Sequence, residues 1–391
     1  MTPPAQRRRS ITGVALAAVL LSSADTYVVV LALPAIMAGL GLGLDQLQAA
    51  TPLISGFLAG YVVVMPLIGR VSDLQGRRPV LLGCVAVFAA GSLVTASAHS
   101  LGVATAGRAL QGLGGGGLVP VTLALIADWW RAEERGVPLG IAGAVQELGS
   151  VAGPLYGALI LSFSEWRTIF WLNLPLSAVL ITAIAVRWRG PGPRPVRVDR
   201  VALGLAGVAA VTGALAIAAP PLLLNDVTFG TLYLPVAGVA WLTPLSLVAL
   251  VAAAGLMVWE GFGPSRAWVR AAAATLLRRA DWPAALLLGA ALSAVVVSFA
   301  GADPTVQALN PAAPWLLTAA AVAIALLVVR ERSTSEPLIP GGMLRRPAGG
   351  GALLVNLALG GALMAALVDI PILARATITN STQLDAALVL L

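Results

Sequence analysis

Apolar stretches long enough to cross a bilayer follow one another along the whole chain, separated by short polar connections. They fall near residues 11–36, 49–69, 79–98, 101–124, 138–161 and 168–187, then near 201–224, 236–259, 283–301 and 314–330, and another begins near 351. A run of about 18–20 apolar residues with few charges reads as a membrane-spanning helix. Within lipid each backbone N–H and C=O must be satisfied inside the protein, so a chain built of such runs folds as an all-α polytopic membrane protein. Composition agrees: 59% of the residues are hydrophobic and 10% charged, against roughly a quarter charged in soluble domains. The opening MTPPAQRRRS is basic, but the apolar run after it is too long for a signal peptide and lacks a cleavage site. It reads as a retained first span.

The positive charge is carried by arginine alone, with a net charge of +7. Arg7 to Arg9, then Arg70, Arg77 and Arg78, then Arg131 and Arg135, then Arg187 to Arg200 occupy alternate connections. The loops between them, around Asp45, His99 and Glu165, hold only Arg167. The positive-inside rule therefore sets the N-terminus in the cytoplasm of a cell inner-membrane protein, with six spans returning the chain to that side. It also makes the arginines topology signals rather than a nucleic-acid surface. RWRGPGPRPVRVDR, residues 187–200, is broken by Pro and Gly and strongly basic, as befits a linker. The expected organisation is a six-helix bundle over 1–187, a cytoplasmic linker over 188–200, linker spans over 201–345 and the start of a second bundle over 346–391. PSRAWVRAAAATLLRRADW, residues 264–282, has the Arg/Trp mixture of a helix lying on the membrane surface. The final TQLDAALVLL looks like the opening of another span, so the sequence reads as cut off.

Several short motifs stand in order along the first half. The opening span carries LSSADTYVVVLALP, and the loop after span two reads GRVSDLQGRRP (69–79), with Gly69, Asp73, Gly76, Arg77 and Arg78 in a tight charged turn. GRALQG (107–112) lies in span four, and span five holds GSVAGPLYGA (149–158). There Gly149, Gly153 and Gly157, with Pro154 between them, place small residues at intervals of four and permit close helix packing. WRTIFWLNLP (166–175) opens span six. Together these resemble the major facilitator superfamily, specifically its fourteen-span proton-coupled exporters of the drug:proton antiporter type. ADTYVVV, Glu147 within QELGSVAGPLYG, and VDIPI at 368–372 look like the actinobacterial branch that exports triacylglycerides and related lipids.

The resemblance implies two six-helix bundles rocking around a central cavity, driven by a proton gradient without a cofactor. It implies a lipid or lipophilic small-molecule substrate, protons and membrane lipids as partners, and a periplasmic lipoprotein that accepts lipid. It implies too that the loop charges Asp73, Arg77 and Arg78 lock the two bundles together. One departure stands out: that family has two spans between its bundles, whereas four are counted here. With the second bundle mostly lacking, residues 1–391 alone are expected to insert but not to transport.

Intramembrane charges are costly, so Asp25 should face a protein interior or a wet cavity. At ~1.5 Å per residue, Asp25 lies about 21 Å into span one, and Arg108 roughly 10 Å below the outer end of span four. In a core about 30 Å thick these depths coincide, so the two should form an ion pair that protonation releases. The bland alternative is a helix-to-helix hydrogen bond without a transport role. Glu147 lies about 13 Å into span five by the same count, where burial should raise its pKa. Asp369 could face the cavity from the second bundle. His99 reads as a surface histidine, and Trp129, Trp130, Trp166 and Trp188 as interfacial aromatics. Gly114 to Gly117 is no phosphate loop, since no Gly-Lys-Ser/Thr follows; close packing suffices. Cys84 is the single cysteine and allows no disulfide within the chain or cysteine metal cage. No catalytic set, metal cluster or nucleotide motif is present in the sequence, which argues for a transporter rather than an enzyme. Lipid export is the leading reading, multidrug/proton antiport by the same machinery the alternative, and a non-transporting sensor or scaffold the outsider.

Overall fold

The computed structural model describes residues 5–43, 47–188, 229–234, 243–262, 281–299, 311–334 and 349–362, with scattered positions between 201 and 216 and residue 347. Asp369, nearly all of the basic linker and nearly all of the expected surface helix at 264–282 lie outside the described residues.

Six long helices make up the first half: α1 (Ala5–Gly39), α2 (Pro52–Gln75), α3 (Arg77–Ala96), α4 (Leu101–Trp129), α5 (Gly136–Leu161) and α6 (Trp166–Arg187). Further along come α7 (Pro244–Phe262), α8 (Trp282–Phe299) and α9 (Ala313–Ser333). The described residues are helical or irregular, and seven helices, α1 to α6 and α9, are long and apolar enough to cross a membrane. Hydropathy marks only the apolar part of a helix. α1 therefore continues through its arginines back to Ala5, because Arg and Gln favour helix as well as most apolar residues do, and α4 runs on through Asp128 to Trp129.

Local chemistry sets the ends. Pro52 opens α2 at a position where its missing N–H costs nothing. Gly76 then turns the chain within one residue at φ +91°, its N–H bonded to the Ser72 carbonyl at 3.0 Å, and α3 starts at once. The Ser100 hydroxyl accepts from the Val103 N–H at 3.4 Å to cap α4. One proline lies inside each of α1, α2, α4, α5 and α6, as membrane helices tolerate where neighbours re-satisfy the backbone.

α4 is the hub of the bundle. Added Cβ atoms at Gly112 and Gly116 would strike the α2 backbone at Phe57 and Tyr61, one at Gly114 the α3 backbone at Phe88, and one at Gly115 the Ser22 hydroxyl of α1. The glycine run thus lets three helices approach one. On the other side α5 lies along α1, with Gly149 against Ser23, Gly153 against the Ala24 carbonyl and Gly157 against Val28. α6 closes the bundle on α1 and α3, and α8 pairs with α9 and packs on α2, where Gly289 meets Val63.

Two apolar cores result. One joins Ile36, Met37, Leu53, Ile169 and Phe170 towards one end of the bundle. The other joins Ile11, Val19, Leu81, Val85, Leu125 and Ile184 towards the Arg-rich end. In α1, Asp25 falls between them.

Candidate functional site

Four helices deliver polar side chains to the gap between the cores. Asp25 comes from α1, Arg108 and Gln111 from successive turns of α4, Ser92 and Thr95 from α3, and Asn173 from α6. Asp25 is 0% exposed and Arg108 1%. The Arg108 Nη1 lies 2.5 Å from Asp25 Oδ2. Asn173 Nδ2 donates to Oδ1 at 2.6 Å, and Gln111 Nε2 is 3.2 Å from both carboxylate oxygens. Gln111 also donates to the Ser92 hydroxyl at 2.8 Å and accepts from Arg108 Nη1 at 3.0 Å and from the Thr95 hydroxyl at 3.2 Å. Arg108 Nε reaches the Leu53 carbonyl at 3.3 Å, and its guanidinium lies 4.3 Å from the Phe57 ring centre.

A buried ion pair is tolerable only where further hydrogen bonds satisfy what the partners leave over. This cage does so for both members. Apart from Asp25, Arg108 is held by Gln111 Oε1, the Leu53 carbonyl and the Phe57 ring. One acceptor, Asn173 Oδ1, has no partner. Gln111, Ser92, Thr95 and Asn173 escaped the sequence reading, although Gln111 stands inside GRALQG and Asn173 inside WRTIFWLNLP. Their signal is a neutral amide or hydroxyl within an apolar span.

The charged turn forms a second cluster at the Arg-rich rim. Arg77 binds Asp73 at 2.5 Å, the Ser72 hydroxyl at 2.5 Å, and Asp128 at the end of α4 through Nε at 2.8 Å. Arg78 donates to the Ala185 carbonyl of α6 at 3.1 Å. The expected lock to a second bundle involves residues that lie almost wholly outside those described. The described partners join α2, α3, α4 and α6 of the same bundle, because the tight turn at Gly76 aims Arg77 at the C-terminal end of α4. Asp128, 51 residues away in sequence, was not foreseen. Gly69 supplies the carbonyl that the Ser72 hydroxyl bonds at 2.7 Å.

Two other expectations change. Glu147 is exposed rather than buried: it precedes Gly149 by two residues, about 200° around the helix, so it stands off the stripe that seats α5 on α1. Asp25 and Arg108 do not share an open face with it, being enclosed within the bundle. Trp166 is buried rather than interfacial, packed on Gly39 and edge-on to Phe170. Pro154 is buried in the α5 stripe with its glycines, while His99 is exposed and Cys84 is a buried free thiol. Among the described residues no cluster of His, Cys, Asp and Glu could hold a metal.

The model of the Major Facilitator Superfamily matches residues 15–329, a stretch that includes Asp25 and its cage, the charged turn and α2 to α8. The chain belongs to the Major Facilitator Superfamily. Curated relatives within it include triacylglyceride transporters of Mycolicibacterium hassiacum, 41% identical over 66% of this chain and 48% of the relative, and of Mycolicibacterium smegmatis, 39% identical over 72% and 49%. The triacylglyceride transporter of Mycobacterium tuberculosis is 41% identical over 67% of this chain and 50% of its own length. The chain spans about half the length of the curated relatives it matches. This superfamily member is a multi-pass membrane protein, and the bundle around Asp25 falls within the matched region.

Proposed function

We propose that this protein takes part in proton-coupled export of a lipophilic substrate, a triacylglyceride or related lipid, from the inner membrane, with its N-terminus in the cytoplasm. The observation that carries the coupling is the enclosed Asp25–Arg108 pair, a titratable carboxylate held at mid-bundle by donors from α4 and α6. Protonation of Asp25 cancels the attraction to Arg108 and loosens α1 from α4, while the arginine keeps its other acceptors. Glu147, exposed on α5, and Asp369 are the further acids assigned to the cavity, and the Asp73–Arg77–Asp128 cluster steadies the cytoplasmic rim as the bundle moves. The lipid substrate rests on the relatives named triacylglyceride transporters. A periplasmic lipoprotein would receive the cargo; the energy comes from the proton gradient, with no catalysis and no cofactor.

The test is genetic. Cells lacking the gene should retain triacylglyceride at the inner membrane, the intact gene should restore its export, and Asp25→Asn should not, although that protein still accumulates in the membrane. Unchanged lipid distribution together with accumulation of cationic dyes would replace lipid export by multidrug antiport. Full restoration by Asp25→Asn would remove Asp25 from the coupling.

A further inference from the structure

At the end of the bundle opposite the Arg-rich rim, the last turns of α1 and the connection from α5 to α6 border an open-mouthed cavity of about 500 Å³. α1 contributes Ala35, Ala38 and Gly39 and α5 contributes Leu161, which makes this part of the lining apolar. The start of α6 adds Glu165, Trp166 and Arg167 in succession. α5 and α6 hold 26 and 22 residues, about 39 and 33 Å at 1.5 Å per residue, against a hydrocarbon core about 30 Å thick. The turn between them therefore reaches headgroup level.

Three polar groups of this cavity lack the partner their chemistry asks for. Arg167 donates through Nη2 to the Ala98 carbonyl at 2.9 Å, and its guanidinium lies 4.4 Å from the Trp166 ring centre. Glu165 stands at the N-cap of α6 without its side chain bonding the helix. Among the described residues no carboxylate lies within ion-pair distance of Arg167 and no cation within that distance of Glu165. Trp166 is 3% exposed, and its indole N–H, set against Gly39 where a side chain would otherwise stand, has no acceptor. The Ser164 hydroxyl, by contrast, is engaged with that of Thr168 at 2.7 Å. One cavity thus offers a cation and an anion that do not pair with each other. A simple anion would be drawn to Arg167 and repelled by Glu165, and a simple cation the reverse; a zwitterion suits both. The zwitterion that a bilayer supplies at this level is a phosphate joined to a primary ammonium. Its oxygens accept from Arg167 and the indole, and its ammonium donates to Glu165. A quaternary choline ammonium has no N–H to donate and matches less well.

We propose that this cavity binds the phosphoethanolamine headgroup of a phospholipid, with the phosphate on Arg167 and the ammonium on Glu165. Ala35 is ten residues beyond Asp25 on α1, about 15 Å along the helix, so the site is separate from the Asp25 cage. The proposal holds whether or not the protein exports triacylglyceride.

Native mass spectrometry of the purified chain in detergent tests this. The probes are phosphatidylethanolamine, phosphatidylcholine and phosphatidylglycerol of the same acyl chains, and water-soluble glycerophosphoethanolamine. The chain should retain phosphatidylethanolamine ~tenfold more tightly than either other lipid. Glu165→Gln removes the carboxylate and should cancel the preference over phosphatidylglycerol. Arg167→Gln should weaken retention of phosphatidylethanolamine about tenfold, and Arg167→Lys should keep most of it. Ala38→Trp fills the cavity from an exposed position of α1 and leaves both charges; it should weaken that retention while the protein stays monodisperse. Equal retention of the three lipids by the unaltered chain would overturn the proposal. So would an unchanged preference in folded Glu165→Gln and Ala38→Trp proteins, or full competition by glycerophosphoethanolamine, which would assign the cavity to a free zwitterion.

Discussion

Two charge clusters in the same bundle use the same chemistry in opposite surroundings. At mid-bundle Asp25 and Arg108 are sealed off, with both side chains at or below 1% exposure. At the rim Arg77 is largely covered, but its partners Asp73 and Asp128 are about half exposed. In the interior the cost of desolvation is met only by a complete set of hydrogen bonds, so each member depends on the other. At the rim water competes for every charge, and losing one partner leaves the rest solvated. The first arrangement makes the fit of four helices depend on one charge pair; the second tolerates the loss of a partner.

The sharpest way to break this contrast is Arg108→Ala. It leaves the Asp25 carboxylate buried without its counter-charge, and the unfolding free energy in micelles should fall by about 3–5 kcal/mol. A loss below about 1 kcal/mol would place Asp25 in water and erase the distinction between the clusters.

A smaller effect is expected from Gln111→Leu. It keeps the ion pair but removes donors from the carboxylate and from Ser92, so stability should fall by about 1–3 kcal/mol, the usual cost of buried polar groups left unsatisfied. If thermal unfolding of this variant matches the parent, the amide is a bystander and the cage reduces to a bare pair.

At the rim a double-mutant cycle on Arg77 and Asp128 should yield a coupling of about 0.2–1 kcal/mol. That coupling should shrink as salt rises, because exposed charges are screened over about 10 Å at 0.1 M. The Asp25–Arg108 coupling should hardly change over the same range. Equal salt dependence at both sites would show that the interior pair is also hydrated.

The parts legible in the sequence were those that hydropathy and charge encode. Six spans of the first bundle stood out because lipid demands long apolar runs, and the level of Asp25 with Arg108 followed from the constant rise of a helix. Rotation about the helix axis was harder to read. Glu147 lies two residues from a glycine that touches α1, and that offset, more than depth, decides which way it faces. Neutral polar residues were missed for another reason: Gln111, Asn173 and Ser92 carry no charge to mark them, and only the packing of α3, α4 and α6 gathers them. Asp128 carries no local signal of its role, since only the turn at Gly76 brings Arg77 to it from 51 residues away. Trp166 shows that an aromatic at a span end can as well close a core, here because Gly39 leaves room for the ring.

Whether Asp25 itself takes up the proton is open to direct observation. Infrared difference spectra of the membrane-reconstituted protein, recorded as the pH is lowered, should show a protonated-carboxyl stretch that is missing from Asp25→Asn and present in Asp73→Asn. A carboxyl band that persists unchanged in Asp25→Asn, or none at any pH at which the protein stays folded, would contradict a proton-responsive carboxylate at the centre of the bundle.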